Sequence, residues 1–226
     1  MKRLPSKKEK IIGALKENRY LSGLDTLILE FLAENTQLIS FEAEETIIRE
    51  GQQSLGLYFI DSGQVKIFKY SSSGREMIIN VLGAGESFNE VPVFDQLENP
   101  GNVSAVVDSL IWLIDAEALR MVITKYPQAA RQIIINLSQN LRMLVGKVAE
   151  LTFYTVTTRL ARLIGKLPSD QLSGSERLTQ DDLAARIGTV REVVARSLKE
   201  LENEGVIEVQ RGKIKIIDKE KLNNRE

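Results

Sequence analysis

An α+β chain in two textures is predicted from three observations. Short glycine-punctuated strands fill residues 40–115, a long helix with an apolar stripe follows Pro127, and two capped helices with a hairpin close the C-terminal part. The 226 residues suffice for one large or two modest cores. The boundaries expected are a β-domain with a helical lead-in over 1–126, a long helix over 127–152, and a small domain over 153–226.

Residues 6–34 carry helical periodicity in Ile11, Leu15, Leu21, Leu24, Ile28, Phe31 and Leu32. The segments TIIREGQ, LGLYFIDSGQVKIFKY, SSSGREMIINVLGAGESF and NVSAVVDSLIWLID then read as strands, spaced as in a sandwich or barrel. Gly51, Gly56, Gly63, Gly74, Gly83 and Gly85 punctuate them. Gly63, between FID and QVKIF, and Gly74, closing SSSG, are expected as hairpin hinges. A short helix over 116–125 stops near Pro127, and a long one runs on to Leu151. Leu137, Leu141, Leu144, Val148 and Leu151 alternate spacings of four and three along it, the a/d stripe of a two-stranded coiled coil. The alternative is one helix packed on its own β-domain. Helix continues over 153–166, and LPSDQLSGSE is a loop opening the last domain.

Composition excludes much chemistry. The chain has no cysteine and no histidine. Disulfides, thiolate iron–sulfur ligation, cysteine nucleophiles, histidine triads and His-ligated zinc or haem are therefore ruled out. No metal-ligand cluster or positioned nucleophile is visible, so no enzyme is expected. No apolar run approaches the ~20 residues of a membrane span, and the apolar part of MKRLPSKKEKIIGALKENRY is too short for a secretory signal. A cytoplasmic protein without a membrane partner is the expectation. The net charge of −1 gives no hint of nucleic acid. Residues 151–226 nevertheless hold 14 Lys and Arg against 12 Asp and Glu, so the positive end is the C-terminal part.

That end carries the informative motif, TQDDLAARIGTVREVVARSLKELEN over 179–203. Thr179 with Asp182, and Thr189 with Glu192, fit the [ST]-x-x-[DE] helix start, with a turn expected at Gly188. Leu183, Ala184 and Ile187 give the first helix an inner face, and Val190, Val193, Val194, Leu198 and Leu201 give the second its own. This spacing is a helix-turn-helix. Opposite the valines, Arg191, Glu192, Ala195, Arg196 and Lys199 form one stripe. Arginine pairs with guanine O6 and N7 and glutamate accepts from cytosine N4, so the stripe suits major-groove reading. The other reading is a solvated face with a Glu192–Arg196 pair worth tenths of a kcal/mol. GVIEVQRGKIKIID (205–218) alternates about Arg211-Gly212-Lys213, a hairpin whose Arg211, Lys213 and Lys215 can touch phosphates, or a plain lid on the small core.

With these segments in view, the chain resembles the CRP/FNR family of bacterial transcription regulators over nearly its whole length. The glycine-punctuated strands, GESFNEVPVFD, the long helix and IGTVREVVARSLKELENEGVI carry the likeness. The resemblance implies an N-terminal β-roll, a cyclic-nucleotide-binding-like double-stranded jelly roll, then a dimerisation helix and a C-terminal winged helix-turn-helix. It also implies a homodimer on a palindromic double-stranded DNA site, with RNA polymerase as a partner. Arg191, Glu192 and Arg196 occupy the R-E-x-x-x-R positions that read bases in the cAMP-dependent branch, implying TGTGA-like half-sites. The FNR branch carries glutamate, serine and arginine there. The family's phosphate contacts fall on Thr179 and Thr189, with Gln180, Lys199, Arg211 and Lys213 as further backbone candidates.

The effector site departs from the family's cAMP binders. Glu90 matches their glutamate, but Asn89 replaces the preceding glycine, and Asn99 and Pro100 fall where arginine and serine hold the cyclic phosphate. No arginine lies between Arg75 and Arg120. A buried phosphate without such a donor carries a large desolvation penalty. The positions of the adenine contacts are Leu144 and Val145, both apolar. The expectation is an unidentified effector, with cAMP, an iron–sulfur cluster and His-ligated haem all disfavoured and no cofactor required. Candidate pocket residues are Glu86, Phe88, Glu90, Asn99, Asn102, Leu144 and Val145. Activity without ligand, a cAMP response through an altered pocket, and a module contacting a protein partner remain the alternatives.

Overall fold

The computed structural model describes residues 2–18, 20–174 and 177–223. Two compact units divide the chain, residues 1–69 with 79–141 and residues 70–78 with 142–226.

The first unit opens with β1 (Lys2–Leu4), α1 (Lys8–Glu17) and α2 (Thr26–Glu34). Strands β2 (Thr36–Phe41), β3 (Thr46–Ile48), β4 (Gly56–Ser62), β5 (Gln64–Tyr70), β6 (Glu76–Gly83) and β7 (Ser87–Phe88) follow. Then come α3 (Glu90–Asp95), β8 (Asn102–Ala105), β9 (Ser109–Asp115), α4 (Ala116–Lys125) and α5 (Pro127–Phe153). The strands form a five-stranded sheet, β1-β2-β9-β4-β7, and a four-stranded sheet, β3-β8-β5-β6. Ile39, Phe41, Tyr58, Ile60, Val65, Phe88, Val103 and Ile111 share one core of the roll. Leu38, Leu57, Phe59, Trp112 and Ile114 join a second core with Leu15, Leu29, Leu32 and Leu119 from the helices. The central strands β9 and β4 are thus buried on both faces. That is why LYFI and IWLI read as continuous apolar runs instead of alternating. Trp112, fully buried, donates its indole N–H to Asp61 Oδ1 at 2.9 Å, which satisfies its one polar atom.

Gly63 is not the hairpin hinge expected of it. β4 and β5 lie in different sheets, so Gly63 (φ 94°) turns the chain from one sheet to the other. A Cβ there would stand 2.2 Å from Ser109 Oγ and 2.7 Å from the Asp108 carbonyl. Close approach and positive φ both demand glycine. Gly74 (φ 78°) does close a hairpin between the neighbouring strands β5 and β6, its N–H donating to the Ser71 carbonyl at 2.9 Å.

In the second unit the helix breaks after Phe153. Thr155 caps α6 (Val156–Lys166), its hydroxyl accepting from the Thr158 N–H. Next come α7 (Ser169–Ser173), α8 (Gln180–Ile187), α9 (Arg191–Asn203), β10 (Ile207–Gln210), β11 (Lys213–Ile216) and α10 (Lys219–Asn223). Leu160, Ile164, Leu183, Ile187, Val194, Leu198, Leu201, Val206 and Ile214 form its core. Among the described residues no helix is long and apolar enough to cross a membrane.

Gly63→Ala is expected to cost about 3 kcal/mol and Gly74→Ala, which meets open space, about 1 kcal/mol. Denaturant midpoints of the two variants measure the difference; equal midpoints would contradict the corner assigned to Gly63.

Candidate nucleic-acid interface and effector site

Local sequence builds the helix pair. Thr179 and Asp182 form a full capping box on α8: the Thr179 hydroxyl accepts from the Asp182 N–H at 3.1 Å, and the Asp182 carboxylate accepts from the Thr179 N–H at 2.8 Å. Gly188 ends α8 in the left-handed region at φ 70°, as a C-terminal glycine does. The second box expected, Thr189 with Glu192, does not form. α9 starts at Arg191 with Val190 as its cap residue and no side-chain cap bond. Glu192 therefore sits at the second helical position, and Thr189 lies one residue too early to cap.

α9 is two-faced. Val194, Ser197, Leu198 and Leu201 are buried, while Arg191, Glu192, Ala195, Arg196 and Lys199 are exposed. Among the described residues Arg191, Glu192 and Arg196 make no hydrogen bond or ion pair, so the Glu192–Arg196 pair of the solvated-face reading does not form. Lys199 instead pairs with Glu202 at 2.9 Å. Glu202 also accepts from the Val209 N–H at 3.2 Å and thereby ties α9 to β10. The hydrogen bond from Lys199, then the one from Val209, holds the Glu202 carboxyl below its usual range.

The β10–β11 hairpin turns through Arg211 (φ 50°) and Gly212 (φ 76°), two successive positive-φ residues as in a type I′ turn. Arg211, Lys213 and Lys215 are exposed around it. Arg177 belongs with them: its Nε lies 3.9 Å from where a Cβ on Gly212 would stand. No local signal pointed to Arg177, because its neighbour is 35 residues away in sequence. Thr179 is exposed at the start of α8, with Gln180 and Thr189 half-buried.

In the roll, Phe88 is buried and stacks on Tyr58 with ring centroids 5.1 Å apart. Burial pushes the Tyr58 hydroxyl up to about 12. Glu86 is used within its own turn, accepting from the Gly83 N–H at 2.8 Å. Asn89 takes the left-handed conformation at φ 74°, a backbone that glycine or asparagine supplies. Its amide donates to Ser54 Oγ at 2.9 Å and to the Gly56 carbonyl at 3.0 Å. Glu90 is buried and its carboxylate accepts from the Tyr20 hydroxyl. Asn99 is 5% exposed, its backbone is paired with Gln52 and Gly51, and its Oδ1 has no partner among the described residues. Asn102 accepts from the Glu50 N–H at 3.1 Å. Tyr20 and Tyr58 are thus polar groups at this site that sequence reasoning did not assign to it. Among the described residues no group of three or more Asp or Glu could hold a metal.

Leu144 and Val145 lie in the second unit, exposed on α5. Of the stripe on that helix, Leu137 packs against the helical core of the first unit. Leu141, Leu144, Val148 and Leu151 stand between 42% and 63% exposed.

The cyclic nucleotide-binding domain matches residues 38–126, and the Crp-like helix-turn-helix domain matches residues 158–225. The CRP-like cAMP-activated global transcriptional regulator of Mycobacterium tuberculosis is 28% identical over 210 residues, covering 90% of this chain and 94% of that one. The cAMP-activated global transcriptional regulator Vfr of Pseudomonas aeruginosa is 30% identical over 187 residues, covering 78% and 87%. A solved transcriptional regulator of the CRP/FNR family from Eubacterium rectale shares the fold with a TM-score of 0.82, at 20% identity over 93% of this chain and 100% of that one.

Thr179→Ala, which removes a formed cap, is expected to destabilise by about 1 kcal/mol, and Thr189→Ala, which removes none, by only a few tenths. Chemical denaturation of both variants checks the ranking, and a larger loss at Thr189 would reverse the helix start described for α9.

Proposed function

The chain belongs to the CRP/FNR family of bacterial transcription regulators, and on that premise we propose that it is a homodimeric, sequence-specific DNA-binding regulator whose effector is not cAMP. One observation carries the DNA reading: three exposed side chains, Arg191, Glu192 and Arg196, stand unpaired among the described residues on the first two turns of a helix whose other face is buried. Arginine and glutamate with free donor and acceptor groups fit guanine and cytosine edges, and the half-site proposed is TGTGA-like. Thr179, Gln180, Thr189, Arg177 and the wing residues Arg211 and Lys213 supply backbone contacts. Lys199 joins them by exchanging its Glu202 partner for a phosphate.

The dimer rests on Leu141, Leu144, Val148 and Leu151, an exposed a/d stripe that water disfavours and a second copy of α5 would cover. Two recognition helices then fall one helical turn apart on a palindrome. The domain boundaries proposed follow the expected ones, 1–126, 127–152 and 153–226. Regulation through RNA polymerase, in the cytoplasm and without enzymatic activity, completes the reading.

Against cAMP stand the groups that would hold it. Asn99 and Pro100 occupy the positions of the phosphate-binding pair, and no arginine lies between Arg75 and Arg120. The Glu90 carboxylate is already engaged by Tyr20. A small effector lacking a phosphate suits this lining better. A second reading, a cyclic-nucleotide response through a rearranged pocket, is favoured by the domain match over 38–126 and by two relatives named as cAMP-activated.

Anisotropy titration with a TGTGA–N6–TCACA duplex is expected to show clear preference over a scrambled one. Arg191→Ala is expected to lose about 1–3 kcal/mol on the specific duplex and to relax the requirement at one base pair. Equal affinity for both duplexes would refute base reading. Leu144→Glu with Val148→Glu is expected to shift the protein to monomer by sedimentation and to abolish palindrome binding; an unchanged dimer would contradict the stripe. Calorimetry is expected to find no cAMP binding at micromolar concentration, and saturation there would establish the second reading instead.

A further inference from the structure

A polar cluster that apolar packing does not require runs from the buried side of α9 to its exposed edge. Thr157, in the first turn of α6, lies 2.9 Å from Ser197 Oγ and 2.9 Å from Glu200 Oε2, both on α9. Thr157 and Ser197 are 9% and 4% exposed. A threonine hydroxyl has one proton and a carboxylate only accepts, so Thr157 donates to Glu200 and must accept from Ser197. The order is Ser197 to Thr157 to Glu200, a relay ending on a charge and therefore stronger than a neutral bond.

We propose that Thr157 is a positioning residue for base reading, and that with Ser197 and Glu200 it fixes the rotation of α9 against α6. The inference rests on the DNA-reading role proposed above. Around the relay, Leu160, Ala161 and Ile164 of α6 and Val194, Leu198 and Leu201 of α9 share one core. Apolar contact is non-directional and tolerates a small rotation of one helix on another. A rotation of about 20° moves a side-chain tip at ~5–6 Å radius by about 2 Å. That is enough to break a bidentate contact of Arg196 or Arg191 with a base edge. Two hydrogen bonds at one hydroxyl, one donated to Glu200 and one accepted from Ser197, tie Thr157 to residues three apart on α9 and remove that freedom. Thr157 and Ser197 are buried away from the reading stripe, and Glu200, exposed one turn beyond Arg196, ends the relay at the edge of that stripe.

The test uses the full chain with Thr157→Val, Thr157→Ser and Glu200→Gln. The last alters an exposed residue and keeps the fold even if the valine variant does not. Affinities for the TGTGA–N6–TCACA and scrambled duplexes are measured at one salt concentration, corrected for active fraction, beside a thermal melt. The ratio of the two affinities is expected to fall at least about tenfold in Thr157→Val and Glu200→Gln, with scrambled-duplex affinity within about twofold. Thr157→Ser is expected to restore most of the ratio, and the double variant Thr157→Val/Glu200→Gln to lose no more than either single one. A purely structural role would lower the melt and leave the ratio unchanged. Retention of the ratio in both Thr157→Val and Glu200→Gln, or failure of Thr157→Ser to rescue it, overturns the proposal. If the unaltered protein shows no preference, base reading itself fails, and amide exchange over residues 191–203 decides the relay separately. Faster exchange there in Thr157→Val, with α8 unchanged, supports it; unchanged exchange overturns it.

Discussion

Burial of one face of α9 is the constraint on which the DNA-facing part of the molecule depends. Val194, Leu198 and Leu201 are 0–5% exposed in the core of the second unit. With 3.6 residues per turn, anchoring those positions leaves Arg191, Glu192, Ala195, Arg196 and Lys199 nowhere but outside. The capping box on α8, the left-handed Gly188 and the bond from Val209 to Glu202 fix the neighbours of α9 on either side. A charged stripe at that spacing on an isolated helix would be an ordinary solvated face. It becomes a candidate reading surface because the helix carrying it is held by its opposite side, and because its arginines and glutamate are not spent on one another.

The roll obeys a different constraint. Its central strands serve two cores at once, so the polar groups that reach the interior must find partners in strands, turns or helices nearby. Most do: Glu90 with Tyr20, Asn89 with Ser54 and Gly56, Glu86 with Gly83, Asn102 with Glu50. Asn99 Oδ1 is an exception among the described residues. In the effector site proposed above, Asn99 and Pro100 stand where a cyclic phosphate would need cationic donors.

Local features were legible in the sequence because local chemistry determines them. The Thr179–Asp182 box, the turn at Gly188, the short helix over 116–125 and the Arg211-Gly212 hairpin all depend on residues a few positions apart. Thr189 shows the limit of that reading, since a start pattern displaced by one residue cannot cap. What escaped depends on pairing across the chain. Gly63 turns a corner only because β4 and β5 join different sheets, and Glu90 meets a tyrosine 70 residues away. Thr157 reaches α9 over 40 residues, and Arg177 joins the wing by a similar route. Whole-chain charge misled for a related reason: a sum of −1 averages away a handful of cations gathered by folding onto one helix face and one turn.

Everything proposed for the DNA-facing surface requires that α9 read guanine edges from the major groove. Methylation of guanine N7 by dimethyl sulfate on a bound TGTGA–N6–TCACA duplex measures this directly. Protection of the half-site guanines is expected in two symmetric patches centred about one helical turn apart, lost at one guanine per half-site in Arg191→Ala. Binding that leaves every guanine N7 reactive, or protects a single patch without symmetry, would contradict it.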